Sequence, residues 1–155
     1  MEYPVCAQKE KIRSSEGLEL VPDMVGGNLS SYDYVLIPGG NRIADLMNNH
    51  GFPDWITVRR DRSVVAAVCG GALLAGATGI LRGRRATTHP NLKPFLTKFA
   101  QEVTGERIVD EGTVITAGGV TAAIDLGLYV CEKIAGRGIR GKIQVQMDYP
   151  YYPFP

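Results

Sequence analysis

Residues 63–79 read Ser-Val-Val-Ala-Ala-Val-Cys-Gly-Gly-Ala-Leu-Leu-Ala-Gly-Ala-Thr-Gly. An apolar, β-branched run ends at one cysteine, Cys69, and a helix-forming run of small residues opens directly behind it. Strand, sharp turn and helix within so few residues is the layout of a nucleophile elbow, in which the turn lifts one side chain clear of the end of a sheet. Side chains flanking such a turn must be small, or they collide across it. Ala67 and Gly71, two before and two after Cys69, meet that need. The first N–H groups of a helix have no partner within it. Here they are placed to stabilise a thiolate or an oxyanion beside Cys69.

Around this elbow, strand and helix patterns alternate. Residues 3–7 and 32–37 read as strands, and 11–23 as a hairpin around Ser-Ser-Glu-Gly. Residues 42–48 read as a helix stopped by Asn48-Asn49-His50-Gly51, and Pro53 as the start of another that carries Trp55 and Ile56. Residues 63–68 and 70–78 are the elbow strand and helix. A short strand at 85–88 ends at His89, and 91–101 reads as an amphipathic helix with Leu92, Phe95, Leu96 and Phe99 inward. Residues 107–110 and 113–117 form a hairpin around Glu111-Gly112; 121–135 is a nearly all-apolar, hence buried, helix; 139–148 is a further helix. This alternation predicts a layered α/β fold with a mainly parallel sheet. Ligands in such sheets bind at the carboxyl ends of the strands. Gly39-Gly40, Cys69-Gly70 and Gly118-Gly119 all fall at such ends.

The 155 residues suffice for one domain, spanning 1–155. A formal net charge of +1 gives no basic surface for nucleic acid, and no uncharged run reaches the roughly 20 residues a membrane helix needs. The start, Met-Glu-Tyr-Pro-Val-Cys, lacks the basic and apolar regions of a signal peptide. Cys6, Cys69 and Cys131 lie far apart without metal-ligand spacing, so free thiols in a reduced, cytoplasmic setting are expected, with no metal and no cofactor. Gly118-Gly119-Val120-Thr121 is not a Gly-x-Gly-x-x-Gly and no P-loop lysine follows it, which argues against a nucleotide.

Taken together, several segments resemble the ThiJ/PfpI superfamily, which is related to class I glutamine amidotransferases. They are Leu36-Ile37-Pro38-Gly39-Gly40, Val68-Cys69-Gly70-Gly71-Ala72, Arg85-Ala86-Thr87-Thr88-His89 and Thr116-Ala117-Gly118-Gly119-Val120-Thr121 with Ala122-Ala123-Ile124-Asp125. The tail Ile143-Gln144-Val145-Gln146-Met147-Asp148-Tyr149 with Pro153-Phe154 resembles the isocyanide (isonitrile) hydratase branch. The resemblance implies a flavodoxin-like three-layer sandwich, a cysteine nucleophile, a small-molecule substrate and a homodimer. The family domain opens with a strand and helix that this chain does not show, and that unit usually supplies an acid to the cysteine. A flavodoxin-like sheet without its central first strand is expected to carry a gap. Either the chain is a fragment or another chain fills that gap. The branch also places a threonine after the cysteine, where this chain has Gly70.

Each candidate residue has two readings. Cys69 is a thiolate nucleophile or a buried structural thiol; Cys6 and Cys131 read as packing residues. His89 is a proton carrier in the pocket or a structural histidine. Asp125, one turn into an apolar helix, needs a partner: Thr121, backbone or an arginine if it is structural, His89 if it orients the imidazole. Gly39 and Gly40 form a tight turn or, with Gly70, donate N–H groups to an oxyanion, and Asn41 adds a side-chain contact. The Arg82, Arg84, Arg85 cluster reads as a solvated loop, and the tail aromatics as a cover for a groove or a dimer partner. Two functions follow: a cysteine-dependent hydratase or hydrolase of a small electrophile, isonitrile hydration foremost, or a redox-sensing or ligand-binding module. An inactive member of the superfamily is the remaining reading.

Overall fold

The computed structural model describes residues 4–14, 16–49, 51–58 and 62–151. In chain order the strands and helices are β1 (Cys6–Ala7), β2 (Ile12–Arg13), β3 (Glu19–Leu20), β4 (Met24–Val25), β5 (Tyr34–Ile37), α1 (Ile43–Met47), α2 (Gly51–Trp55), β6 (Val64–Val68), α3 (Gly71–Ala77), β7 (Arg85–Ala86), α4 (Lys93–Leu96), β8 (Glu102–Val103), β9 (Ile108–Asp110), β10 (Val114–Ala117), α5 (Ala122–Ala135) and α6 (Arg137–Gln146).

The main sheet has the order β5-β6-β10-β9. β5 and β10 flank β6 in parallel, and β9 closes one side antiparallel to β10. Strand alternation sends successive side chains to opposite faces, and the packing follows it. Val35, Ile37, Val65, Ala67 and Val114 join Ile43, Leu73, Leu74 and Leu96 in one core. Ala66, Ile115 and Ala117 join Ala122, Leu126 and Val130 of α5 in the other. A sheet with helices on both faces is the layered, mainly parallel α/β arrangement that the alternation predicts and the flavodoxin-like sandwich that the resemblance implies.

β5 forms one edge of this sheet, while β1 pairs with β4 in a separate two-stranded sheet. On the α5 side, Leu36 is 58% exposed although Val35 and Ile37 beside it are buried. The expected all-round burial of α5 is corrected here. Its sheet-facing side is buried, but Ile124 is 39% exposed, and Ala123 and Gly127 are open to solvent.

Three smaller expectations change as well. Pro53 is the third residue of α2, not its start. The segment after His89 begins as a 3-10 turn, Pro90–Leu92, and continues as the four-residue α4, leaving Phe95 55% exposed. Arg84 donates to Thr113 Oγ1 at 2.8 Å and Arg85 of β7 pairs with Glu106, while Arg82 is exposed as the solvated-loop reading expects. The 11–23 hairpin (β2 with β3) and the 107–117 hairpin (β9 with β10) form as read. His50, Tyr152 and Phe154 lie outside the described residues.

Asp110 links the β9 edge to α5. Burial pushes its carboxyl pKa up, but hydrogen bonds from Lys133 Nζ (2.5 Å), Tyr129 OH (2.8 Å) and the Gly112 amide (2.8 Å) outweigh this and hold it below its usual range. A depressed acid contributes stability that is complete above the unfolded value near about pH 4 and is lost as pH falls through the folded value. Asp110→Asn should therefore be less stable than wild type at about pH 6, and the difference should shrink by about pH 2.5. Urea midpoints of the two proteins at both pH values check this.

Candidate active site

β6 delivers Cys69 to the carboxyl end of the sheet, and α3 starts two residues later. Cys69 adopts φ +56°, the left-handed region that a side chain enters only at a cost. The surroundings hold it there. Its amide donates to Ala117 O (3.0 Å) and Gly118 O (2.9 Å) at the end of β10. Its carbonyl accepts from Ala72 N (3.1 Å) and from Thr88 Oγ1 (2.6 Å). Strained backbone held by its surroundings in this way clusters at active sites and ligand clamps. Glycine has no left-handed penalty, so Cys69→Gly should be more stable than Cys69→Ala by about 1 kcal/mol, the reverse of the usual order. Thermal midpoints of the two variants give the comparison.

The glycines on either side are there because nothing larger fits. A Cβ on Gly71 would lie 2.3 Å from Ile37 O and 2.8 Å from Pro38 O. A Cβ on Gly39 would lie 2.8 Å from Cys69 Cβ and 3.2 Å from its Sγ, so the Gly39 backbone rests directly on the Cys69 side chain. A Cβ on Gly70 would meet Ile43 Cγ1 at 2.6 Å. Ile43, from α1, thus occupies the space that a threonine at position 70 would need. Gly40 has open space around it. Among the described residues, the N–H groups of Gly39, Gly40 and Gly70 donate no hydrogen bond within the chain. Asn41 is exposed beside them at the head of α1.

His89 follows Thr88 into the same region. A Cβ on Gly119 would stand 3.2 Å from His89 Cδ2 and 3.9 Å from Nε2, so the ring packs on the loop whose Gly118 carbonyl holds the Cys69 amide. His89 Nδ1 accepts from the Asn91 amide at 3.2 Å, as the cap of the 3-10 turn. A neutral imidazole carries one proton, so an accepting Nδ1 places it on Nε2. Asp125 is elsewhere engaged. Its Oδ2 accepts from Arg107 at 2.5 Å and its Oδ1 from Tyr149 OH at 2.9 Å. It makes no bond to His89. Thr88, Ile43 and Arg107 are the neighbours that the sequence did not single out. Only Arg107 had a signal, the need of a buried Asp125 for a cationic partner. Among the described residues, no side chain hydrogen-bonds Cys69 Sγ, and no cluster of three His, Cys, Asp or Glu is built to hold a metal ion.

The pattern of the DJ-1/PfpI family matches residues 3–133. The chain belongs to this family. It is 33% identical over 145 residues to isonitrile hydratase of Pseudomonas putida, covering 92% of this chain and 64% of that protein. It is 26% identical over 151 residues to protein DJ-1alpha of Drosophila melanogaster, covering 93% of this chain and 69% of that one. Among solved structures, a ThiJ/PfpI family protein from Pseudomonas syringae superposes with a TM-score of 0.88 at 27% identity, covering 98% of this chain and 64% of that one. The chain thus spans about two thirds of the length of these relatives. Drosophila DJ-1beta, at 23% identity and TM-score 0.76, shares the fold. No helix of the described residues of this family member is long and apolar enough to cross a membrane.

Proposed function

We propose that this DJ-1/PfpI chain is a cysteine-nucleophile enzyme that hydrates an isonitrile to an N-substituted formamide. The observation that carries the reading is the elbow itself: a cysteine in left-handed backbone with the Gly39 loop against its sulfur, in a stretch where the N–H groups of Gly39, Gly40 and Gly70 donate no hydrogen bond within the chain. The likeness to isonitrile hydratase supplies the substrate class.

In this mechanism the Cys69 thiolate adds to the terminal carbon of R–N≡C. That carbon gains a proton and becomes the thioimidate R–N=CH–S–Cys69. Water then adds to the same carbon, the C–S bond breaks, and R–NH–CHO leaves as the thiol re-forms. Covalent addition divides one hard hydration into two easier steps. The free backbone N–H groups stabilise charge developing on the substrate. His89 offers Nε2–H as a hydrogen-bond donor to charge developing on the substrate, and the proton that reaches the isonitrile carbon is the one the Cys69 thiol gives up on ionising. A homodimer and a reduced cytoplasmic setting belong to the same proposal. The test is incubation of the purified protein with an alkyl isonitrile, reading the formamide by chromatography. Formation no faster than in buffer overturns the reading.

One observation favours a second reading, that of a redox-sensing or ligand-holding thiol: no acid or imidazole among the described residues hydrogen-bonds Cys69 Sγ. Peroxide titration followed by mass spectrometry separates the two. Stoichiometric oxygen addition at Cys69 without any formamide production favours the sensor.

A further inference from the structure

The Asp125 cluster is joined to the elbow through the main chain. Asp125 is completely buried one turn into α5, and both of its oxygens are occupied, by Arg107 and by Tyr149. Arg107 also donates from Nη2 to Thr121 Oγ1 at 3.1 Å, and its own carbonyl accepts from the Gly118 amide at 3.0 Å. The Gly118 carbonyl in turn accepts from the Cys69 amide at 2.9 Å. Arg107 thus holds both ends of the segment 118–121, Thr121 through its guanidinium and Gly118 through its carbonyl, and that segment carries the Cys69 amide on one side and the His89 ring on the other.

Tyr149 reaches this cluster from beyond α6. Asp148 turns the chain at φ +50°, and Gln144 holds Tyr149 by two bonds, Tyr149 N to Gln144 O (3.1 Å) and Gln144 Nε2 to Tyr149 O (2.9 Å). Arg140 orients Gln144 at 2.6 Å and is itself held by Glu132 at 2.9 Å. Burial and the Asp125 carboxylate raise the phenol above its usual range, so it remains a neutral O–H donor at physiological pH. Its removal would leave a lone-pair site of a fully buried carboxylate empty, which the Arg107 geometry would have to absorb.

We propose that Tyr149 is a positioning residue for Cys69: its hydroxyl fixes Asp125 and Arg107, and through them the segment 118–121 that holds the Cys69 amide and the His89 ring. This rests on the reading of Cys69 as a reactive thiol. The experiment measures the rate of iodoacetamide alkylation at Cys69 across pH, by peptide mass, in wild type, Tyr149→Phe and Gln144→Leu. Tyr149→Phe keeps the edge-on ring contact with Tyr151 and removes only the donor. It should lower the Cys69 rate at neutral pH about threefold or more and raise the pH of half-maximal reaction, with Cys6 and Cys131 in the same samples unchanged. Gln144→Leu should move the profile in the same direction by loosening the tail. Superimposed profiles, even with a lowered thermal midpoint, overturn the positioning role. A wild-type Cys69 that reacts no faster than Cys6 and Cys131 overturns the reading of Cys69 itself, so the two failures are distinct.

Discussion

Cys69→Ala should reduce formamide production by about 10⁴-fold or more while leaving the fold intact. The substitution deletes the atom proposed to form the bond to substrate. Nothing else in the structure replaces it: Cys6 and Cys131 lie in β1 and α5, away from the elbow. The side chain at 69 contributes little to packing, because it projects from the turn toward Gly39 and is partly exposed. The thermal midpoint should accordingly stay within a few degrees of wild type. Cys69→Ser should lose nearly as much activity, since an alcohol is a far weaker nucleophile than a thiolate at neutral pH. Steady-state turnover beside a thermal melt of each variant checks both halves. Near-normal turnover in the alanine variant would remove the mechanism.

Gly71→Ala should be strongly destabilising. Its Cβ would sit 2.3 Å from the Ile37 carbonyl oxygen and 2.8 Å from that of Pro38. Both are backbone atoms at the end of β5, which is paired along its length to β6, so neither can swing aside as a flexible side chain could. Relief requires α3 to move off the sheet, and with it Leu73 and Leu74 of the larger core. The expected loss is about 3 kcal/mol, or about 6–12 °C in thermal midpoint for a chain of this length. Gly40→Ala, next to the same loop but facing open space, is the control and should cost well under 1 kcal/mol. Equal midpoints for the two variants would show that the close approach at Gly71 is not what shapes the elbow.

The elbow was legible because its signals are local and agree with one another. A β-branched run, one polarizable nucleophile and glycines at the crowded positions leave few other ways to fold residues 63–79. The sheet was legible for the same reason. The nearly continuous apolar runs of β6 and β10 fit strands covered on both faces, as in a mainly parallel sheet. What escaped depended on parts far apart in the chain. The reading of 91–101 as one amphipathic helix assumed a constant 100° per residue. Pro90 and Pro94 instead produce a 3-10 turn followed by four helical residues, and the changed pitch rotates Phe95 outward. The apolar sequence of α5 suggested burial on every side, yet sequence cannot tell how many layers will cover a helix. Here Leu36 of β5 and Ile124 of α5 are both exposed. Asp125 announced its need for a partner, but a choice between Arg107, Thr121 and His89 is made only by the packing of β9 against α5. Ile43 in the space beside Gly70 is a long-range contact with no sequence signal.

The most direct test of the central idea looks for the covalent bond. The protein is mixed with an alkyl isonitrile, quenched with acid within the first turnovers, digested and read by peptide mass. The Cys69 peptide should carry the added mass of one isonitrile molecule, and the label should be absent from Cys6, from Cys131 and from the Cys69→Ala variant. Formamide accumulating while the Cys69 peptide stays unmodified, or a label found only on Cys6 or Cys131, would contradict the account.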